Sequence, residues 1–141
     1  MGSSMAEVVK KERPVYRNIG IGQIVSYRLP PAGIVSILHR ISGALMFLLL
    51  PFVLYLFEQS LTSEISFLTF KSVVSNVFVK LVLIVLSWGF LHHLLAGVRH
   101  LRMDTNHSLV TKERGRSSAL VVLVLSLLLT AAIALKLFGA F

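Results

Sequence analysis

Two stretches of this chain are too long and too apolar to leave many folding options: Leu81–Val98, and Ser117–Leu135 running on past Lys136. A helix that spans a bilayer needs about 20 predominantly apolar residues, with a lower limit near 17. A third stretch, Ile41–Phe57, is slightly short alone. It reaches spanning length if its helix starts near Ile34, which sets His39 and Arg40 near the membrane edge. The composition, 55% hydrophobic and 14% charged over 141 residues, lies outside the soluble range. The expectation is an all-α membrane protein with three transmembrane helices.

The net charge of +8 raises the question of nucleic acid. The basic residues, however, are distributed as topology signals. Lys10, Lys11, Arg13, Arg17, Arg28 and Arg40 precede or open the first span, and Arg99, Arg102, Lys112, Arg114 and Arg116 lie between the second and third. The connection between spans one and two carries Glu58, Glu64 and Lys71, with Lys80 just inside span two. The positive-inside bias then puts the N-terminus in the cytoplasm and the C-terminus outside, and a nucleic-acid partner is not expected. With no cysteine in the chain, disulfides, thiolate-ligated haem and a self-held iron–sulfur cluster are excluded. No apolar signal core precedes Pro30. A bacterial inner membrane is the simplest address, with a mitochondrial inner membrane as the alternative.

The organisation follows from turn and cap signals. Residues 1–31 form a basic cytoplasmic arm, closed by Pro30–Pro31, a helix-start signal because proline fits the first turn. Residues 32–141 form the membrane domain, with helices expected at about 32–57, 73–102 and 117–139. Pro51 is a candidate kink in the first helix. Residues 58–72 read as an outside loop, and Gly115 as the breaker of the loop before the third helix. The third helix, with Ser126 and Thr130 as its polar groups before Lys136, reads as lipid-facing or packing.

Two segments could carry chemistry. The first is SILHRISG, residues 36–43, in which Ser36, Arg40 and Gly43 share a helix face with His39 one position beside it. An arginine stays charged and cannot donate a proton, but it can stabilise a carboxylate, a haem propionate or the negative charge developing on a reduced quinone oxygen. A serine one turn away can donate a hydrogen bond to a carbonyl. Equally, Arg40 and His39 could be an interfacial anchor snorkelling to the headgroups.

The second segment is HHLLAGVRHLRMD, residues 92–104, which puts His93, Gly97, His100 and Asp104 on one stripe. Imidazoles and a carboxylate are costly in or at the edge of a bilayer, so they need a reason. A glycine-cleared stripe suits a flat macrocycle. His92 points roughly 100° away, on a second stripe with Ala96, Arg99 and Met103. His93 is therefore the ligand candidate, with His100 nearer propionates or a proton path. The competing reading is that the histidines make inter-helix hydrogen bonds, with Arg99 and Arg102 as ordinary stop-transfer charges.

RPVY at 13–16, SILHRISG at 36–43 and HxxxGxRHxxxD at 93–104, in this order within one three-span chain, closely resemble the larger cytochrome b membrane-anchor subunits of succinate dehydrogenase. The resemblance covers most of the chain. It implies a helix bundle shared with a second small anchor, holding a flavoprotein and an iron–sulfur subunit at the membrane and passing electrons from succinate to ubiquinone. It implies a haem b between the anchors, with His93 as this chain's axial iron ligand and the second histidine from the partner. Ser36 and Arg40 take the quinone-site positions, and Arg40 also touches a propionate. His39 and His100 fall on the propionate side, and His100 and Asp104 are candidates for the proton path. It implies that the flavin chemistry belongs to another subunit, and no activity is expected from the isolated chain. Two alternatives remain: a fumarate reductase anchor working with menaquinol, and a haem-free structural or assembly protein.

Overall fold

The computed structural model of the protein describes residues 20–139. The RPVY motif and the basic residues Lys10, Lys11, Arg13 and Arg17 lie outside the described residues. Among those described there is no strand. The helices are α1 (Ile21–Ser26), α2 (Pro31–Leu61), α3 (Glu64–Ser75), α4 (Val77–Thr105) and α5 (Lys112–Leu137), with one 3-10 turn at His107–Leu109. Three of them, α2, α4 and α5, are long and apolar enough to cross a membrane.

Each helix starts where a cap supplies it. Pro31 opens α2 with Pro30 as its N-cap, because a missing N–H costs nothing in a first turn. Asn76 caps α4 by accepting from the Phe78 amide at 2.8 Å, and Thr111 caps α5 by accepting from the Arg114 amide at 3.3 Å.

The structure departs from the sequence expectation in three places. The α2 helix runs to Leu61 rather than ending near residue 57, since Glu58, Gln59 and Ser60 are compatible with a helix that has left the hydrocarbon. Residues 58–72, expected as a loop, contain most of α3. Its start is a capping box: Ser63 Oγ accepts from the Ser66 amide at 3.1 Å and Ser66 Oγ from the Ser63 amide at 2.9 Å. Gly115, expected as a breaker, lies in the first turns of α5 and is buried there. Its carbonyl accepts a hydrogen bond from a side chain of α4.

The α4 helix packs against both α2 and α5. Val35, Ala96, Ala119 and Val122 form the core where the three helices meet, and the first three are fully buried. Gly115, Ala119, Val122, Ser126 and Thr130 are the buried residues of α5, a stripe of mostly small side chains at three- and four-residue spacing. Such stripes let helix backbones approach closely in lipid, where packing rather than water expulsion drives association. Ser126 and Thr130 satisfy their hydroxyls within α5, on the Leu123 and Ser126 carbonyls at 3.0 and 2.7 Å. Large apolar side chains such as Phe47, Leu48 and Leu128 are left facing outward, as a lipid-contacting surface requires.

Candidate functional site

The site is built where α2 crosses α4, and glycines decide its geometry. A Cβ on Gly43 would stand 2.9 Å from Cε1 and 3.3 Å from Nδ1 of His93. With glycine there, the His93 ring lies directly on the α2 backbone. Its Nδ1 is then 3.0 Å from the His39 carbonyl. A carbonyl can only accept, so Nδ1 carries the hydrogen and donates it, and Nε2 is left with an unshared pair. Ser42, almost completely buried, donates its hydroxyl to the same carbonyl at 3.0 Å and lies 3.4 Å from Nδ1.

The His39 ring stacks on His93 with centroids 4.0 Å apart and planes inclined by 16°. His100 is tilted against His39 at 5.3 Å. A Cβ on Gly97 would lie 3.6 Å from His39 Nε2. The clearing expected at Gly97 for a flat group is therefore filled by the His39 ring, a side chain from the neighbouring helix that periodicity along α4 could not reveal. His93, Gly97 and His100 do occupy one half-buried face, and the fold adds His39 to them.

Ser36 is half-buried and Arg40 exposed, one turn apart on α2. Among the described residues neither side chain has a hydrogen-bond partner or an ion pair. Asp104 is exposed at the end of α4, one turn beyond His100, and it too is unpartnered among the described residues.

The neighbouring stripe of α4 has another role. His92, Ala96 and Arg99 are its buried members toward α2 and α5. His92 is fully buried and stacked on Trp88 at 5.3 Å, and neither of its ring nitrogens has a hydrogen-bond partner among the described residues. Arg99, expected as a stop-transfer charge, is instead buried. Its Nε donates to Ser118 Oγ at 2.9 Å and its Nη2 to the Gly115 carbonyl at 3.1 Å. The signal was the seven-residue offset from His92 to Arg99, which puts both on one stripe of α4. Ser42 was also missed. Its signal is a serine three residues after His39, in reach of that residue's carbonyl.

The donor set offers a single imidazole contact rather than a closed cage. Among the described residues no group of three histidine or carboxylate side chains could enclose a bare ion. A single half-buried imidazole with its outer nitrogen held by a backbone carbonyl is the usual form of a metal-ligating histidine, since that bond fixes ring orientation and raises basicity.

Comparison with known proteins gives the three-span bundle a family. Residues 9–133 match the family described as succinate dehydrogenase/fumarate reductase transmembrane subunit. The chain is 38% identical over 104 residues to the succinate dehydrogenase cytochrome b556 subunit of Coxiella burnetii, covering 73% of this chain and 82% of that one. It is 30% identical over 118 residues to the subunit of the same name from Paracoccus denitrificans, covering 84% and 87%.

Proposed function

The chain belongs to the succinate dehydrogenase/fumarate reductase transmembrane subunit family, and from that premise we propose that it binds haem b and helps form a ubiquinone-reducing site. It is a membrane anchor of succinate dehydrogenase of the cytochrome b type. In our reading it sits in the bacterial inner membrane with its N-terminus cytoplasmic, beside a second small anchor, an iron–sulfur subunit and a flavoprotein.

The observation that carries the proposal is the bond from His93 Nδ1 to the His39 carbonyl, which leaves Nε2 free to ligate iron. His93 would hold the haem iron together with a histidine of the second anchor. His39, His100 and Arg40 would attend the propionates. When bound, the haem would supply a one-electron redox centre. His93 suits the ligand role better than His92, because α4 buries His92 completely against its own chain and leaves His93 on a partly open face.

The chain's own groups then account for quinone chemistry. The quinone takes electrons from the iron–sulfur subunit and protons from the cytoplasmic side. Arg40 is exposed and unpaired among the described residues, so its guanidinium is available to hold negative charge on a quinone oxygen. Ser36, one turn away, would donate a hydrogen bond to a carbonyl and orient the ring. His100 and Asp104, one turn apart at the end of α4, would relay protons toward the site. Both named relatives are succinate dehydrogenase subunits, which favours this direction over fumarate reduction with menaquinol.

The test is a reduced-minus-oxidised spectrum of the purified complex. The b-type α band should vanish in His93→Ala and survive in His92→Ala. An unchanged band in His93→Ala overturns the ligand assignment, and a wild-type complex without the band favours the haem-free reading. Arg40→Ala should abolish quinone reduction while dye-linked succinate oxidation persists. Normal quinone turnover in that variant would remove Arg40 from the site.

A further inference from the structure

A second polar feature lies on the neighbouring stripe of α4, about 120° around the helix from His93. Arg99 is 8% exposed, and both of its hydrogen bonds go to neutral oxygens. A guanidinium carries five N–H donors, so most of its donors are not used by these bonds. Among the described residues no carboxylate lies within ion-pair distance of Arg99, Arg102 or Arg114. Arg114 donates to the Ser108 carbonyl at 2.8 Å, and Arg102 is exposed. A buried charge without an opposite charge is costly, and most of all at the edge of a bilayer. The arrangement calls for an anion.

The space for it is a cavity of about 430 Å³ between α4 and α5. Arg99, Arg102 and Arg114 line its end near the α4–α5 connection, and Leu95, Val121 and Leu125 line it deeper in the spans. Arg102 to Leu95 covers about 10 Å of α4, and Arg114 to Leu125 about 16 Å of α5, at the helical rise. That is at most about half of a ~30 Å hydrocarbon core, the depth of one leaflet. A neighbouring cavity of about 410 Å³ shares Arg99 and adds Lys112 and Arg116, so positive charge converges on the same point.

Leu95, Val98 and Arg102 stand about 140–200° around α4 from His93. If His93 faces the second anchor, the groove faces away from it and toward lipid. That clause rests on the reading of His93, whereas the groove's charge and lining do not.

We propose that the α4–α5 groove binds one anionic phospholipid. Arg99, Arg102 and Arg114 hold its phosphate, and one acyl chain lies along Leu95, Val121 and Leu125. The cation cluster alone would suit any phosphate. The apolar continuation, running inward from the cations for the depth of a leaflet, selects a lipid.

The whole complex, washed extensively in detergent, provides the test. Retained phospholipid is counted by mass spectrometry, and thermal unfolding is followed with mixed micelles of phosphatidylglycerol, with micelles of phosphatidylcholine, or with inorganic phosphate. The wild type should keep one anionic phospholipid per copy of this chain, and only phosphatidylglycerol should raise its Tm. The double variant R102Q/R114Q should bind that lipid roughly thirty-fold more weakly, as expected for losing two basic side chains at a membrane surface. Val121→Phe fills the apolar part, keeps every arginine, and should lose the lipid as well. Co-purification of the other subunits with this chain should be normal in both variants, which reports assembly separately. Equal lipid retention and equal Tm response in the wild type and both variants would overturn the proposal. So would inorganic phosphate reproducing the phosphatidylglycerol effect, or a wild-type groove that retains no lipid and crosslinks to another polypeptide. Absence of the haem band would count against the His93 reading alone and leave the lipid result standing.

Discussion

On the proposed ligation of haem by His93, replacing Gly43 with alanine adds one methyl group and should cost the complex most of its haem. The new Cβ would stand 2.9 Å from Cε1 of His93, whereas carbon atoms are in contact without repulsion at about 3.5–4.0 Å. The ring must therefore retreat from α2 by roughly 0.6–1.1 Å. The bond from Nδ1 to the His39 carbonyl starts at 3.0 Å, so the same retreat takes it to or beyond the limit of a useful hydrogen bond. Overpacking of this size costs about 1–3 kcal/mol, and the lost bond about 0.5–1.5 kcal/mol. Alanine returns about 0.8–1.0 kcal/mol through helix propensity, so a net destabilisation of about 0.5–3.7 kcal/mol remains. Losing the partner of a metal-ligating histidine typically weakens metal binding 10–100-fold, and a similar loss of haem retention is expected here. The assay is haem content per purified complex, read from the reduced-minus-oxidised spectrum, together with the midpoint potential of what remains. Gly97→Ala is the control, because its Cβ would be 3.6 Å from His39 Nε2, an ordinary contact. Full haem content and an unchanged potential in Gly43→Ala would refute the claim that the carbonyl bond orients the ligand.

Arg99→Leu removes two hydrogen bonds between α4 and α5 and leaves the Gly115 carbonyl without its side-chain donor. A loss of about 1.5–3 kcal/mol is expected for bonds to a charged group, seen as a lower Tm of the detergent-solubilised complex. Ser126→Leu places a large side chain in the buried small-residue stripe of α5. It should destabilise by about 1–3 kcal/mol, whereas Ser126→Ala should change the Tm little, since its hydroxyl bonds only within its own helix. Ser63→Ala breaks the capping box of α3 at a cost of about 1 kcal/mol. Hydrogen exchange should accelerate at the first amides of α3 and remain unchanged in α4, and equal rates in the variant and wild type would count against the cap.

The spans were legible because lipid imposes one requirement, a long apolar helix, and apolar length is written directly in the chain. Their ends were less so. Glu58 and Gln59 leave the hydrocarbon without leaving the helix, and polarity marks the first event rather than the second. The α3 helix was hidden because Ser63, Glu64 and Ser66 are loop-like by composition and helix-starting by arrangement. In the site, periodicity put His93 and His100 on one face. It could not foresee that His39 would lie across Gly97, because that depends on the register between two helices. Gly43 carried a weak signal for the same reason: a glycine in a span marks a close approach without saying what approaches. Arg99 read as a topology charge because an arginine near a membrane edge almost always is one.

Two adjacent histidines on α4 pose the sharpest test of reading function from packing, since one residue of helical rotation separates them. Sequence can say only that His92 and His93 face different ways. Burial adds a physical criterion. A ligand to a group shared between subunits must sit on a face that its own chain does not close, and its outer nitrogen must be held while the other stays free. His92 fails the first: it is fully buried within its own chain. His93 meets both, half-buried on the α2 side with Nδ1 on a carbonyl. The two stripes of α4 thus divide their roles. The His92, Ala96 and Arg99 stripe joins the three helices into one body. The His93 stripe is left half-open, and that openness is what a haem shared with a second subunit would need.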